Sequence, residues 1–227
     1  MVSAIIVAAG KGTRMGQNMD KLFLELAGRP VVAHTWGRFN AAGWIDEIIV
    51  VVREGMETAF QELAVEYDLS KPFRVVAGGQ ERQDSVWNGL QAVSPAADIV
   101  AIQDGARPCT SELLIEAVIA AARAIGAAVA AQPVTDTIKE SADGKLIERT
   151  LDRKRLWAVQ TPQAFRKEVI LHAISVVRDR GLHVTDDTAA CEFIDQPVKL
   201  VPAASPNPKV TVPADLPYIE SLLRQMS

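Results

Sequence analysis

Cysteine, histidine and aromatic residues are all scarce in this chain of 227 residues. Two cysteines, Cys109 and Cys191, stand far apart, too few for a disulfide framework or a four-ligand zinc site. His34, His172 and His183 are the only histidines, too scattered to suggest a histidine-rich metal centre. No apolar run approaches the ~20 residues that a membrane span requires. Basic charge is not in excess either. Against 28 Asp and Glu there are 24 Lys and Arg, a net charge of −4, so no global basicity marks a nucleic-acid surface. No repeat or low-complexity segment is present, which excludes solenoids and propellers. The opening M-V-S-A-I-I-V-A-A-G lacks a basic n-region and runs straight into a glycine loop, so a mature cytoplasmic start without a signal peptide is expected.

What is present reads as α/β. Hydrophobic residues make up 48% and charged residues 23%, ordinary for a globular chain, and the length suits a single domain over 1–227. Short apolar runs at 3–8, 47–52, 73–77, 99–103 and 127–132 are β-branched or alanine-rich on both faces, as buried parallel strands are. Helical patterns at 30–41, 54–67, 83–92 and 111–125 lie between them, entered through Pro30 and Ser111. Such alternation predicts a doubly wound, mostly parallel sheet with helices on both faces.

The segment 134–157 breaks the rhythm. Asp143-Gly144 is a hairpin turn signal with partly alternating flanks. A hairpin this polar is marginal alone, so it is expected to protrude as a β-hairpin arm and pack on a second copy of the chain. An edge hairpin lying on its own domain is the alternative. Helices at 166–180 and 186–194, a strand at 198–201 and a helix from 214 are expected to complete the chain.

Four clusters carry candidate chemistry. The first is A-A-G-K-G-T-R-M-G at 8–16 followed by Lys21, directly after the first strand, where open α/β sheets bind ligands. Gly10, Gly12 and Gly16 let backbone N–H groups approach anionic oxygens, and Lys11, Arg14 and Lys21 add three cations, which suits a triphosphate. Their G-x-G-x-x-x-G spacing fails the dinucleotide fingerprint, and the G-K-[ST] ending of a P-loop is absent. A nicotinamide oxidoreductase would also need an acidic residue closing the second strand, which instead ends V-V-V-R at 50–53. The second cluster, G-G-Q-E-R-Q-D-S at 78–85, offers Ser85 to a nucleobase edge, or Ser85 or Asp84 as a helix cap. The third, D-G-A-R-P at 104–108, puts Asp104 at a strand end, placed for Mg²⁺ or a ribose hydroxyl, with Arg107 able to clamp a phosphate or pair with Asp104. The fourth is T-D-D at 185–187, with Thr185 read as an N-cap, followed later by Lys209 in N-P-K-V-T.

Nine blocks in order resemble the 2-C-methyl-D-erythritol 4-phosphate cytidylyltransferase family. They are the first glycine block, D-K-L-F-L at 20–24, G-G-Q-E-R-Q-D-S-V at 78–86, D-G-A-R-P, T-D-T-I-K at 135–139, T-L-D-R at 150–153, Q-T-P-Q-A-F at 160–165, T-D-D and N-P-K-V-T. The resemblance implies a Rossmann-like fold whose arm exchanges between the subunits of a homodimer. It implies Arg14, Lys21 and Lys209 as catalytic cations on CTP, with Ala8, Ala9, Gly10, Gly12, Gly79, Ser85 and Asp104 lining the nucleotide site. Arg107, Thr137, Arg153, Thr161 and Lys209 would receive the methylerythritol phosphate, Thr137 and Arg153 arriving from the other subunit's arm. Mg²⁺ would be held mainly by the CTP phosphates, with Asp104 as a candidate ligand. A ribitol 5-phosphate cytidylyltransferase and a non-catalytic nucleotide-binding module are the alternatives. Two positions depart from the family pattern. Asp20 stands where proline is usual, and Gln80 where an acid is frequent; a carboxylate at 20 opposes triphosphate binding unless it turns away or pairs.

Overall fold

The structure is a computed structural model and describes residues 1–10 and 20–226. A central sheet is built from β1 (Val2–Ala8), β4 (Glu47–Val52), β5 (Phe73–Ala77), β6 (Ile99–Asp104), β7 (Ala127–Pro133), β10 (Trp157–Arg166) and β11 (Lys199–Pro202). Its order is β11-β7-β10-β6-β1-β4-β5. Strand β10 runs antiparallel to both neighbours, and the other pairings are parallel. Two minor pairs lie outside the sheet. One joins β2 (Glu25–Leu26) to β3 (Arg29–Pro30), and the other joins β8 (Lys139–Glu140) to β9 (Arg149–Thr150).

Alternation of side chains divides the core in two. In β1, Ala4, Ile6 and Ala8 face one layer, with α1 (Val31–Ala41), α2 (Glu57–Glu66), α4 (Glu112–Ile125) and α7 (Leu216–Gln225) packed on it. Ile5 and Val7 face the other, covered by α3 (Arg82–Ala92), α5 (Lys167–Asp179) and α6 (Asp187–Glu192). The doubly wound expectation therefore holds, with helices on both faces. Strands β4 and β6 are buried along their whole length, which is why they read as continuous apolar runs. No helix among the described residues is long and apolar enough to cross a membrane.

The differences from expectation have local causes. Helix α2 starts three residues late because Gly55 takes φ +85 and Met56 becomes its N-cap. Asp186, not Thr185, caps α6, its carboxylate accepting the Ala189 N–H at 3.0 Å. The entry to α3 is held by Asp84, which accepts the N–H of the N-cap residue Glu81 at 3.2 Å. Strand β10 was not anticipated at all, since Pro162 and three polar residues interrupt its apolar pattern. At the arm, Asp143 and Gly144 (φ +69) do turn the chain, yet the paired strands are two residues each and the tip spans 141–148. The Asp143 carboxylate shapes that tip by accepting the N–H groups of Lys145 and Leu146.

Cys109 and Cys191 are fully buried in opposite layers of the core. Burial pushes the Cys109 thiol up to about 11, with Arg38 opposing weakly. Burial, reinforced by the carboxylates of Asp187, Asp186 and Glu192, pushes Cys191 up to about 12. Neither thiol should react with a disulfide reagent such as DTNB in the native protein at pH 8, whereas both should react in denaturant. Rapid native labelling of either would contradict this packing.

Candidate active site

Chain connectivity runs from β1 to β4 and β5 on one side, then returns to β6 on the other. Ligands in open α/β sheets bind at the carboxyl ends of strands where such a reversal occurs. A cleft of about 870 Å³ opens there, lined by Val7, Ala9, Gly10, Lys21, Gly79 and Lys209 among others. Arg53, Ser85 and Asp104 also border it. Gly12 and Arg14 lie outside the described residues. Ala8 does not line the cleft. The period-2 alternation that brings Val7 and Ala9 to the wall turns Ala8 into the core, where it is 5% exposed.

The wall at 78–85 demands glycine. A Cβ on Gly78 would sit 2.5 Å from the Ala9 Cβ and 2.8 Å from the Ser85 Oγ, and one on Gly79 would sit 2.2 Å from the Asp84 Cβ. The Ser85 hydroxyl accepts the Gly79 N–H at 3.1 Å and donates to the Glu81 carbonyl at 3.1 Å. It builds the glycine turn as well as facing the cleft.

A second cleft of about 450 Å³ adjoins the first, and the two share Arg82, Asp104 and Lys209. Arg107, Thr161 and Asp186 line it too. At the junction the Asp104 carboxylate meets Lys209 at 2.8 Å, Arg107 at 3.4 Å and Arg82 at 3.5 Å. Burial alone would push this carboxyl up. The charges of Lys209, Arg82 and Arg107 outweigh that effect and hold it at about 2. Thr161 accepts the Asp104 backbone N–H at 3.0 Å. Lys21 reaches the same region, its ammonium donating to the Val210 carbonyl at 3.1 Å.

Thr137 and Arg153 line neither cleft of their own chain. Both lie on the arm, where the Arg153 guanidinium donates to the Thr135 carbonyl at 2.5 Å. Arg107, read as a phosphate clamp, also donates to the Asn207 carbonyl at 2.7 Å.

The two adjoining clefts with a shared cationic wall suit a transfer between two phosphorylated ligands, and comparison with known proteins gives the family. A family model described as IspD, 2-C-methyl-D-erythritol 4-phosphate cytidylyltransferase, matches residues 2–225. The chain belongs to this family. A relative of that name from Pelotomaculum thermopropionicum is 43% identical over 224 residues, covering 98% of this chain and 94% of its own. One from Caldanaerobacter subterraneus is 43% identical over 225 residues, covering 99% of each. The crystal structure of 4-diphosphocytidyl-2C-methyl-D-erythritol synthase from Anaerococcus prevotii superposes with a TM-score of 0.86 at 33% identity, covering 98% of this chain and 96% of its own.

In this cytidylyltransferase-family chain, two residues that sequence reasoning passed over hold the site together. Asn207 is 2% exposed, donates to the Thr161 carbonyl at 2.8 Å and accepts from the Thr110 hydroxyl at 3.0 Å. It pins the loop that delivers Lys209. Arg82 pairs with Asp187 at 2.8 Å as well as with Asp104, joining α3, β6 and α6. Asp187 is 1% exposed and its Oδ1 has no hydrogen-bond partner among the described residues; burial pushes its carboxyl up against the pull of Arg82. The only advance signal was that both residues lie inside the quoted blocks.

Among the described residues no cluster of three or more His, Cys, Asp or Glu side chains could hold a metal ion. The single Asp104 carboxylate at the cleft junction still fits Mg²⁺, which takes most of its ligands from phosphates and water.

Breaking a buried pair strands the remaining charge. Arg82→Gln should therefore lower the unfolding free energy by about 3 kcal/mol in urea titrations, and Arg82→Lys by less. A glutamine variant as stable as the wild type would show that the pair carries no weight.

Proposed function

We propose that the chain joins CTP to 2-C-methyl-D-erythritol 4-phosphate, giving 4-diphosphocytidyl-2-C-methyl-D-erythritol and pyrophosphate, in the cytoplasm and within the non-mevalonate isoprenoid route. The observation that carries this reading, beside the family, is the junction of two clefts at Asp104, Lys209 and Arg82. CTP occupies the larger cleft, its base against Gly79 and Ser85 and its ribose beside Asp104. The polyol phosphate occupies the smaller one, against Arg107, Thr161 and Lys209.

An oxygen of the acceptor phosphate attacks the α-phosphorus. That P–O bond forms as the bond to the β-phosphate oxygen breaks, and pyrophosphate leaves. The acceptor is already an anion, so no protein nucleophile or general base is required. The difficulty is bringing two anions into line, which positioning and fixed cations overcome. Lys209 and Lys21, with Arg14, neutralise charge at the α-phosphorus. Lys209 is already neutralising Asp104 at 2.8 Å, so binding of a phosphate exchanges one anion for another. Mg²⁺, held by the triphosphate with Asp104 nearby, would add positive charge against the leaving pyrophosphate. The direct test is pyrophosphate release from CTP. It should require both methylerythritol phosphate and Mg²⁺; equal release with ribitol 5-phosphate would overturn the acceptor assignment.

The arm supports a shared site in a homodimer. It springs from the carboxyl end of β7 and returns into β10, with Pro133 and Trp157 paired at its root. That is the sheet edge on which both clefts open. The arm carries Thr137 and Arg153 away from their own clefts, and its tip exposes Leu146 and Ile147. On this reading Arg153 and Lys21 serve one site from two chains. Arg153→Ala and Lys21→Ala should each be nearly inactive, since a lost transition-state contact costs roughly 3–4 kcal/mol. Co-expressed, they should recover about a quarter of wild-type activity, because half the dimers are mixed and each mixed dimer keeps one intact site. A verified heterodimer as inactive as its parents would show that the arm serves its own subunit.

A further inference from the structure

The carboxylate at position 20 is paired. Asp20 Oδ2 accepts from the Arg53 guanidinium at 2.8 Å, while Oδ1 accepts the Leu22 N–H at 3.1 Å. Its two oxygens therefore span Lys21 along the backbone, one fixed to the residue beyond it and one to the sheet. The Asp20 carbonyl accepts the Phe23 N–H at 3.0 Å, closing a turn around the same lysine.

Arg53 provides a rigid anchor. It follows Val52, the last residue of β4, which is in register with Ala8 of β1 and Ala77 of β5. Downstream of Lys21 the segment is fastened independently. The carbonyls of Leu22 and Leu24 accept the N–H groups of Val32 and Val31, and Phe23 packs edge-on against Phe60 at 5.3 Å. Upstream, among the described residues, Arg53 is the side chain outside the 20–24 turn that holds Asp20. Arg53 itself lines the larger cleft, whereas Asp20 does not.

We propose that Asp20 and Arg53 form a clasp that positions Lys21 in the nucleotide cleft. Asp20 and Arg53 are thus positioning residues: they set where the Lys21 ammonium stands and leave the contact with phosphate to it. This rests on the assignment of the larger cleft to CTP. The pair is partly exposed, at 36% and 24% of side-chain area, so its loss should be felt in ligand binding and hardly in folding.

A double-mutant cycle of Asp20→Ala, Arg53→Ala and the double variant tests the clasp. CTP affinity is read by calorimetry without acceptor, and kcat, both KM values and Tm are measured alongside. Each single variant should weaken CTP binding about tenfold, with the double variant no worse than either, because a misplaced cation costs the same whichever half of its support is removed. The KM for the polyol phosphate should stay within about twofold and Tm within about 2 °C, as expected for an exposed pair. Arg53→Lys, which keeps the charge, should recover most of the affinity.

Other patterns overturn the clasp. A much larger loss in Arg53→Ala than in Asp20→Ala would mean that Arg53 grips phosphate itself. Tighter CTP binding in Asp20→Ala would mean that the carboxylate only repels nucleotide. Multiplying effects in the double variant, or wild-type behaviour throughout, would show no cooperation. A wild type that binds CTP yet releases no pyrophosphate with methylerythritol phosphate would defeat the reaction reading while leaving this binding cycle interpretable. A wild type that does not bind CTP would defeat both.

Discussion

A carboxylate surrounded by three cations organises the edge of the sheet on which both clefts open. Asp104 ends β6 nearly buried, at 8% exposure, and an isolated charge in that position would be too costly to keep ionised. Its neutralisation draws in Arg107 from the next turn, Arg82 from the start of α3 and Lys209 from a loop 105 residues downstream. Each of those cations is then held where phosphate would sit. Lys209 is delivered by a loop that Asn207 pins and that the Val210 N–H, bonded to the Ala106 carbonyl at 2.8 Å, fixes again. Arg82 is fixed from behind by Asp187. On the proposed reading the anion is thus the template for a phosphate site, with the cations oriented before any ligand arrives.

The sheet topology explains why this template faces two clefts. Here β10 enters antiparallel between β6 and β7, and its irregular stretch between Val159 and Gln163 places Thr161 against the Asp104 backbone. Gln163 then accepts the Asp187 N–H at 3.1 Å and donates to the Asp186 carboxylate at 2.8 Å, tying α6 to the same strand. One strand therefore supports the wall of the smaller cleft and forms the root of the arm.

The parts legible in the sequence were those in which one physical demand dominates. Strands β4 and β5 were predicted to the residue, since both match a compact apolar run. Gly78 and Gly79 were legible as a turn because no Cβ fits there. Legibility failed where two demands compete. In β10, burial of Ala164 and Phe165 is masked by Gln160, Thr161 and Gln163, which line the smaller cleft. The family resemblance implies Ala8 in the nucleotide site, yet strand alternation assigns it to the core. The ion-pair partners were invisible for a different reason. Arg53 with Asp20, and Arg82 with Asp187, are separated by 33 and 105 residues, and no local pattern marks a pairing set only by the crossing of strands.

The same separation bears on how catalysis is divided. Lys21 and Lys209 reach the cleft from opposite ends of the chain, and the Lys21 ammonium bonds to the Val210 carbonyl, one residue past Lys209. On the proposed reading, the cation assigned to the nucleotide thus bonds to the loop bearing the cation assigned to the acceptor. In-line transfer requires the attacking oxygen, the phosphorus and the leaving oxygen to stay collinear, and it is more sensitive to the relative position of these charges than to either one alone. In the reaction proposed, the Lys21–Val210 hydrogen bond and the Asp104–Lys209 pair therefore bear on that relative position.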